Sequence, residues 1–198
     1  MKIENVDIER GRPWRIKEFG LPNDHKPEDF TVWSFSSRGD WATHSGNYRG
    51  NWSPYIPRNL ITKYSKQGQL VLVQMCGNGT TLVESKLLGR DGIRVDVNSD
   101  AIMVAQDRLS FDYNTLDKSR RAETRPHVGG ARNLDLIGEE IVDLIATHPP
   151  YARIISYNGK RILDDLSRLA LSCPLGYCSD TRTKVLATGP KRCSGNGA

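Results

Sequence analysis

Apolar residues gather in the middle of the chain, and their spacing changes twice between residues 70 and 100. Residues 70–73 (Leu-Val-Leu-Val) are a continuous apolar, β-branched run, the pattern of a strand covered on both faces in a parallel sheet. Cys76-Gly77-Asn78-Gly79-Thr80 follows, with two glycines where a backbone must turn sharply and come close to something. From 80 to 88 the apolar positions Leu82, Val83, Leu87 and Leu88 fall roughly on one side of a helix. Gly89 and Gly92 punctuate its end, and 93–97 reads as a second buried strand that ends at Asp96 and Asn98. Strand, glycine turn, helix and strand with a terminal acid make a βαβ unit of the nucleotide-binding kind.

The flanking segments extend this unit. Residues 30–35 (FTVWSF) read as a short strand, and Pro57 marks the start of a helix over 58–64. Ser99 is placed to cap a helix over 100–109, with Ile102, Ala105 and Leu109 as its inner face. A basic loop covers 110–125, Pro126-His127-Val128 is a short third strand, and 134–137 a brief helical turn. Residues 142–146 form another buried strand that runs directly into Thr147-His148-Pro149-Pro150-Tyr151. The expected fold is α/β: a Rossmann-like open, mostly parallel sheet with flanking helices. Residues 1–29 form a polar N-terminal arm, 30–171 the domain, and 172–198 a tail without helical or strand periodicity, expected to be largely disordered. In such sheets ligands sit beyond the carboxyl ends of the strands. That places Gly77 and Gly79, Asp96 to Asn98, and His148 to Tyr151 on one rim.

Composition changes this picture little. A net charge of +5 over 198 residues is compatible with a polyanionic partner. The densest basic cluster, 118–125, reads first as a solvated loop, with phosphate contact as the alternative. No apolar run approaches the roughly 18–20 residues of a membrane span, and residues 1–14 carry no apolar signal core. The four cysteines form no CxxC pair, so neither a disulfide framework nor a metal site is expected, and a reducing, cytoplasmic home fits. Arg38-Gly39-Asp40 matches an adhesion tripeptide, which without secretion is coincidence.

The glycine turn narrows the ligand. A phosphate-cradling loop requires Gly-x-x-x-x-Gly-Lys-Ser/Thr, and no lysine follows Gly79; a dinucleotide fingerprint wants a third glycine where Leu82 stands. A cofactor with an adenosine ribose and no pyrophosphate remains, and S-adenosylmethionine meets that description. The motifs together resemble the amino-group DNA methyltransferases, which methylate adenine N6 or cytosine N4. Residues 74–81 are similar to that family's cofactor loop, Asp96-Val97-Asn98 to the acid that holds the ribose hydroxyls, and His148-Pro149-Pro150-Tyr151 to the catalytic Asp/Asn/Ser-Pro-Pro-Tyr loop. Residues 52–60 sit where the family has its N-terminal cofactor-flanking motif. The resemblance covers about residues 30–168. It implies a class I S-adenosylmethionine-dependent site built from Met75, Cys76, Gly77, Gly79, Thr80, Asp96, Val97 and Asn98. It also implies acceptors at His148 and the Pro149 carbonyl, Pro150 completing the loop, and Tyr151 stacking on a base flipped out of DNA. Cys76 reads as a small packing residue.

Three positions depart from the family's pattern. Val73 stands where an acid usually meets the methionine amino group, and Gly130 where an acid receives the cofactor's adenine amino group. The third is the tail, beyond which further strands and a target-recognition region are expected. The resemblance therefore implies a truncated or diverged relative. An RNA methyltransferase, and a nucleic-acid-binding remnant that has lost catalysis, stay open as alternatives.

Overall fold

The computed structural model describes residues 1–3, 5–8, 13–22, 26–27, 29–30, 32–113, 122–132, 134–135, 137–138, 141–149 and the backbone of 184–187. Among the described residues the elements are β1 (Lys2–Ile3), β2 (Val6–Asp7), α1 (Tyr55–Tyr64), β3 (Leu70–Gln74), α2 (Thr80–Leu87), β4 (Asp91–Asp96), α3 (Ser99–Leu109), β5 (Thr124–Val128), β6 (Leu144–Thr147) and β7 (Lys184–Ala187). β3 to β7 form a parallel five-stranded sheet in the order β5-β4-β3-β6-β7. The chain starts at the centre with β3, steps outward through β4 and β5, then returns to the other side of β3. The order therefore reverses between β3 and β6, where open α/β sheets bind ligands.

The apolar run of β3 reflects cover on both faces. Val71 and Val73 pack with Ile61 of α1, Leu82, Val83 and Leu87 of α2, and Leu144 and Ala146 of β6. Leu72 joins Ile93 and Val95 on the opposite face, where Leu134, Ile137 and Val142 pack. Two glycines permit the closest approaches on the helical side. A Cβ on Gly92 would stand 2.7 Å from Leu82 Cδ2, and one on Gly79 would stand 2.8 Å from the Cβ of Ala105 in α3. Ile3, Val6 and Ile8, in and after the β1–β2 hairpin, are buried against Val104 on another side of α3.

Several expectations need correction. Residues 30–35 form no strand where described: Phe30 and Val32 are exposed, and the Trp33 indole donates to the Phe30 carbonyl. An apolar, aromatic run without a neighbouring strand to pair with is not a strand. α1 begins at Tyr55, so Pro57 lies inside its first turn, where a missing N–H costs nothing. α3 is capped by Asn98, whose side chain accepts from the Asp100 amide, rather than by Ser99. β4 ends at Asp96 and leaves Val97 outside it and exposed. The tail was expected to hold no strand, yet β7 lies within it and pairs with β6 from Leu144↔Lys184 to Thr147↔Ala187. The unpaired edge of β6 offers a row of hydrogen-bonding groups, and Lys-Val-Leu-Ala is short enough to escape a periodicity search. The rest of 172–198 lies outside the described residues.

Gly79 is the position where these requirements meet, with φ +81° and no room for a Cβ. Gly79→Ala is expected to cost about 2–3 kcal/mol, combining left-handed strain with overpacking. Urea denaturation should report this as a lower midpoint with an unchanged slope.

Candidate functional site

At the carboxyl end of β3 the backbone turns left-handed three times, at Met75 (φ +56°), Gly77 (φ +51°) and Gly79 (φ +81°). Only glycine adopts this region freely, and a Cβ on Gly77 would meet nothing closer than Tyr48 at 3.8 Å. The loop is pinned from β4: the Cys76 amide donates to the Val95 carbonyl, and the Gly77 amide to Asp96 Oδ2 at 2.9 Å. Asp96 Oδ1 accepts from the Asn98 amide, also at 2.9 Å. Each Asp96 oxygen thus keeps capacity for a further donor. Burial raises the Asp96 pKa, while the amides of Asn98, Gly77 and Val97 work against that. Since Gly79, the N-cap of α2, has no side chain, Asn78 takes over the cap. Its Oδ1 accepts from the Thr80 hydroxyl and amide at 2.9 and 3.3 Å.

This loop forms one wall of an open cleft. Val73, Met75, Cys76, Gly77, Asn78, Thr80 and Thr81 line it from the β3–α2 side, His148 from the end of β6, and Tyr48, Gly50, Asn51 and Trp52 from the segment before α1. His148 and Trp52 are stacked, with ring centroids 4.6 Å apart and planes within 15°. Burial lowers the His148 pKa, so its imidazole is neutral at neutral pH. Thr147, one residue earlier, donates its hydroxyl to the Gln74 carbonyl at 2.6 Å, and Gln74 Nε2 reaches the Ala131 carbonyl. Cys76 is buried, and its thiol pKa is raised by that burial.

Of the residues singled out in the sequence, Met75, Cys76, Gly77, Thr80 and His148 meet in the cleft. Asp96 stands behind Gly77, and Gly79 faces away toward Ala105. Val97 is exposed beyond β4, and Asn98 Oδ1 is engaged in capping α3. Pro149 follows His148, whereas Pro150 and Tyr151 lie outside the described residues. S-adenosylmethionine fits this setting in three respects. Asn78 Nδ2 is a buried donor without a partner, of the kind a ligand acceptor satisfies. Gly77 leaves the floor open, and Asp96 has acceptor capacity. Among the described residues no acid lines the cleft, and Val73 is buried where the resemblance implies one.

Sequence reasoning missed what holds the outer wall. Arg38 Nη2 donates to Asn51 Oδ1 at 2.8 Å and to the Trp52 carbonyl at 3.1 Å, and Ser53 Oγ donates back to the Arg38 carbonyl at 2.6 Å. The adhesion-like tripeptide thus has an internal structural role. Below it, Glu84 of α2 is fully buried and accepts from three donors on two segments: Trp41 Nε1 and His44 Nε2 of one loop at 2.7 Å each on Oε1, and Arg58 Nη1 of α1 at 2.8 Å on Oε2. His44 Nδ1 is buried without a partner, which assigns the neutral tautomer with Nε2 protonated. Burial lowers the His44 pKa, against the pull of Glu84. The available signal was a glutamate in a helix whose other faces are apolar, Leu82-Val83-Glu84.

Comparison with known proteins gives the same direction. The DNA methylase family model N6_N4_Mtase matches residues 3–107. The type II methyltransferase M.HpaI of Haemophilus parainfluenzae is 36% identical over 58 residues, covering 29% of this chain and 18% of that protein. The type II methyltransferase M2.DpnII of Streptococcus pneumoniae is 29% identical over 84 residues, covering 42% of this chain and 31% of that one. The chain thus spans less than a third of the length of either relative. Among solved structures, an rRNA methylase from Streptococcus thermophilus aligns with a TM-score of 0.39 at 16% identity, over 60% of this chain and 62% of that one. No group of three or more His, Cys, Asp or Glu side chains suited to a metal occurs among the described residues, and no helix there is long and apolar enough to cross a membrane.

Two outcomes follow for the buried network. Glu84→Gln turns an amide N–H toward one of three donors and is expected to destabilise the protein by about 3 kcal/mol, read as a lowered urea midpoint. The lowered pKa values of His44 and His148 mean that the unfolded chain binds more protons than the folded one below the ordinary histidine value of 6.5. Stability should be level above that pH and fall as pH drops below it, with a shallower fall in His44→Gln.

Proposed function

The chain belongs to the DNA methylase family, and from that premise we propose that its cleft directs methyl transfer from S-adenosylmethionine to an exocyclic amino group of a DNA base, adenine N6 or cytosine N4. S-adenosylmethionine is the cofactor. Bound in the cleft, it supplies an electrophilic methyl group on a sulfonium. The observation that carries the reading is that the loop at Gly77, pinned from behind by the acid Asp96, and the loop that opens with His148 line one cleft at the β3/β6 switch point.

The roles of the residues follow from the chemistry of the amine. Its lone pair is delocalised into the ring, so it is a poor nucleophile until acceptors on its N–H groups draw it toward tetrahedral geometry. The neutral imidazole of His148 and the carbonyl of Pro149 are those acceptors. Asp96 holds ribose hydroxyls, Gly77 allows close approach, and Asn78 Nδ2 donates to an acceptor of the cofactor. Val97, exposed next to Asp96, offers an apolar surface to the adenine, with Asn98 fixing the end of β4. Pro150 holds the loop, and Tyr151 stacks on the flipped base. Such stacking is worth about 1–3 kcal/mol, against a flipping cost of a few kcal/mol. A net charge of +5 suits the phosphate backbone. The domain of this activity is 30–171, with 1–29 as an arm.

Val73 favours a second reading. A buried valine in place of an acid leaves the cofactor's ammonium without a charged partner, a loss of about 1.5–3 kcal/mol. Gly130 removes a second such partner, and together they fit a nucleic-acid-binding remnant. Calorimetry with S-adenosylmethionine separates the two: a Kd of about 10–100 μM is expected for the enzyme, whereas no heat at about 1 mM favours the remnant. With labelled methyl donor, DNA should take up label in preference to RNA. His148→Ala should slow transfer about 100-fold at unchanged cofactor affinity. Labelling of RNA alone would move the substrate class.

A further inference from the structure

Acceptance of an amino hydrogen needs only an oxygen, which the Asp, Asn or Ser of the resembling loops supplies. His148 is a different device, because a neutral imidazole takes a proton outright. It is also half of a stacked pair. Trp52, 7% exposed, lies face to face with it at 4.6 Å and is held through its carbonyl by Arg38. An indole face within about 6 Å stabilises a cation above it. Stacking occupies a face of the imidazole and leaves its nitrogens at the ring edge, where hydrogen bonds and protons are exchanged.

We infer that Trp52 and His148 work as one proton-accepting unit, His148 removing the proton that the methylated amine must lose, and Trp52 acting as the positioning residue that orients the imidazole and supports the imidazolium. The inference rests on the transfer reading above and extends it. The amino nitrogen's lone pair forms the new N–C bond as the S–C bond of the methyl donor breaks, with that electron pair remaining on sulfur. The nitrogen, now positively charged, releases one N–H proton to the unprotonated ring nitrogen of the neutral His148 imidazole and regains its lone pair. The imidazolium then passes the proton to water. Burial keeps the imidazole neutral beforehand. The titratable groups around it do not duplicate this role: the Cys76 thiol is pushed up by burial, the Tyr48 phenol lines the outer wall, Arg38 is behind the Trp52 carbonyl, and Asp96 is behind Gly77.

The full chain supplies a test that does not depend on activity. A protonated imidazole stacked on indole quenches its fluorescence, so wild-type emission should fall in a step as pH drops from 8 to 5. His148→Asn and Trp52→Phe should each remove that step, while the response of Trp41 beside His44 persists in both. The transfer rate should rise with pH through the same midpoint. His148→Asn should be about 100-fold slower, with no such rise. Trp52→Leu should lower kcat about fivefold and shift the midpoint down, and Trp52→Phe should restore most of both. An emission step that survives His148→Asn, or a wild-type transfer rate flat from pH 5 to 8, overturns the pair and leaves the transfer reading standing. The emission step without transfer to any nucleic acid overturns the transfer reading, and the proton role with it.

Discussion

A single carboxylate organises the wall that makes the sheet edge into a cleft. Glu84 is fully buried in α2, and its two oxygens collect hydrogen bonds from the loop before α1 at Trp41 and His44, and from α1 at Arg58. A buried carboxylate is tolerated only when such partners are all present. Three segments distant in sequence must therefore arrive together, and Trp41 also packs edge-on against Tyr55 of α1. The same loop continues to Tyr48, Asn51 and Trp52, so the charge that closes the core also sets the height of the cleft's outer wall.

The inner wall depends on where the strands part. β3 and β6 are paired in register at Val71↔Leu144 and Leu72↔Ile145. The Thr147 hydroxyl on the Gln74 carbonyl ties the two strands beyond that ladder, directly before His148. On the other side, Asp96 grips the Gly77 amide. The loop at Gly77 and the loop opening with His148 are thus each anchored to the strand ends, which gives a rim that is open in shape but fixed in position.

How far this was legible in the sequence follows from what each feature depends on. Residues 70–96 were readable because parallel strands covered on both faces produce continuous apolar runs, and because left-handed turns select glycine at 77 and 79. That Gly77, Asp96 and His148 share one rim followed from their places at the carboxyl ends of strands, whereas the strand order and its switch point left no mark in the hydrophobic pattern. Residues 30–35 misled because aromatic and β-branched content does not supply a pairing partner. Asn98 was read as part of the site, and Oδ1 of that residue caps α3, since asparagine serves equally in either role. The Glu84 network was invisible because its partners are 26 to 43 residues away and share no periodicity with it. Arg38 was dismissed with the tripeptide around it, although a guanidinium with three carbonyl or amide acceptors is a local scaffold.

Val73 lines the cleft where the family's pattern has an acid. The central claim is that the loop at Gly77 and the end of β4 hold the methyl donor. Amide hydrogen exchange with and without S-adenosylmethionine tests it most directly. The account requires slowed exchange at residues 76–80 and 96–98, with little change in α1 or at β1 and β2. Binding that leaves those amides unchanged, or that protects a different part of the sheet, would contradict it.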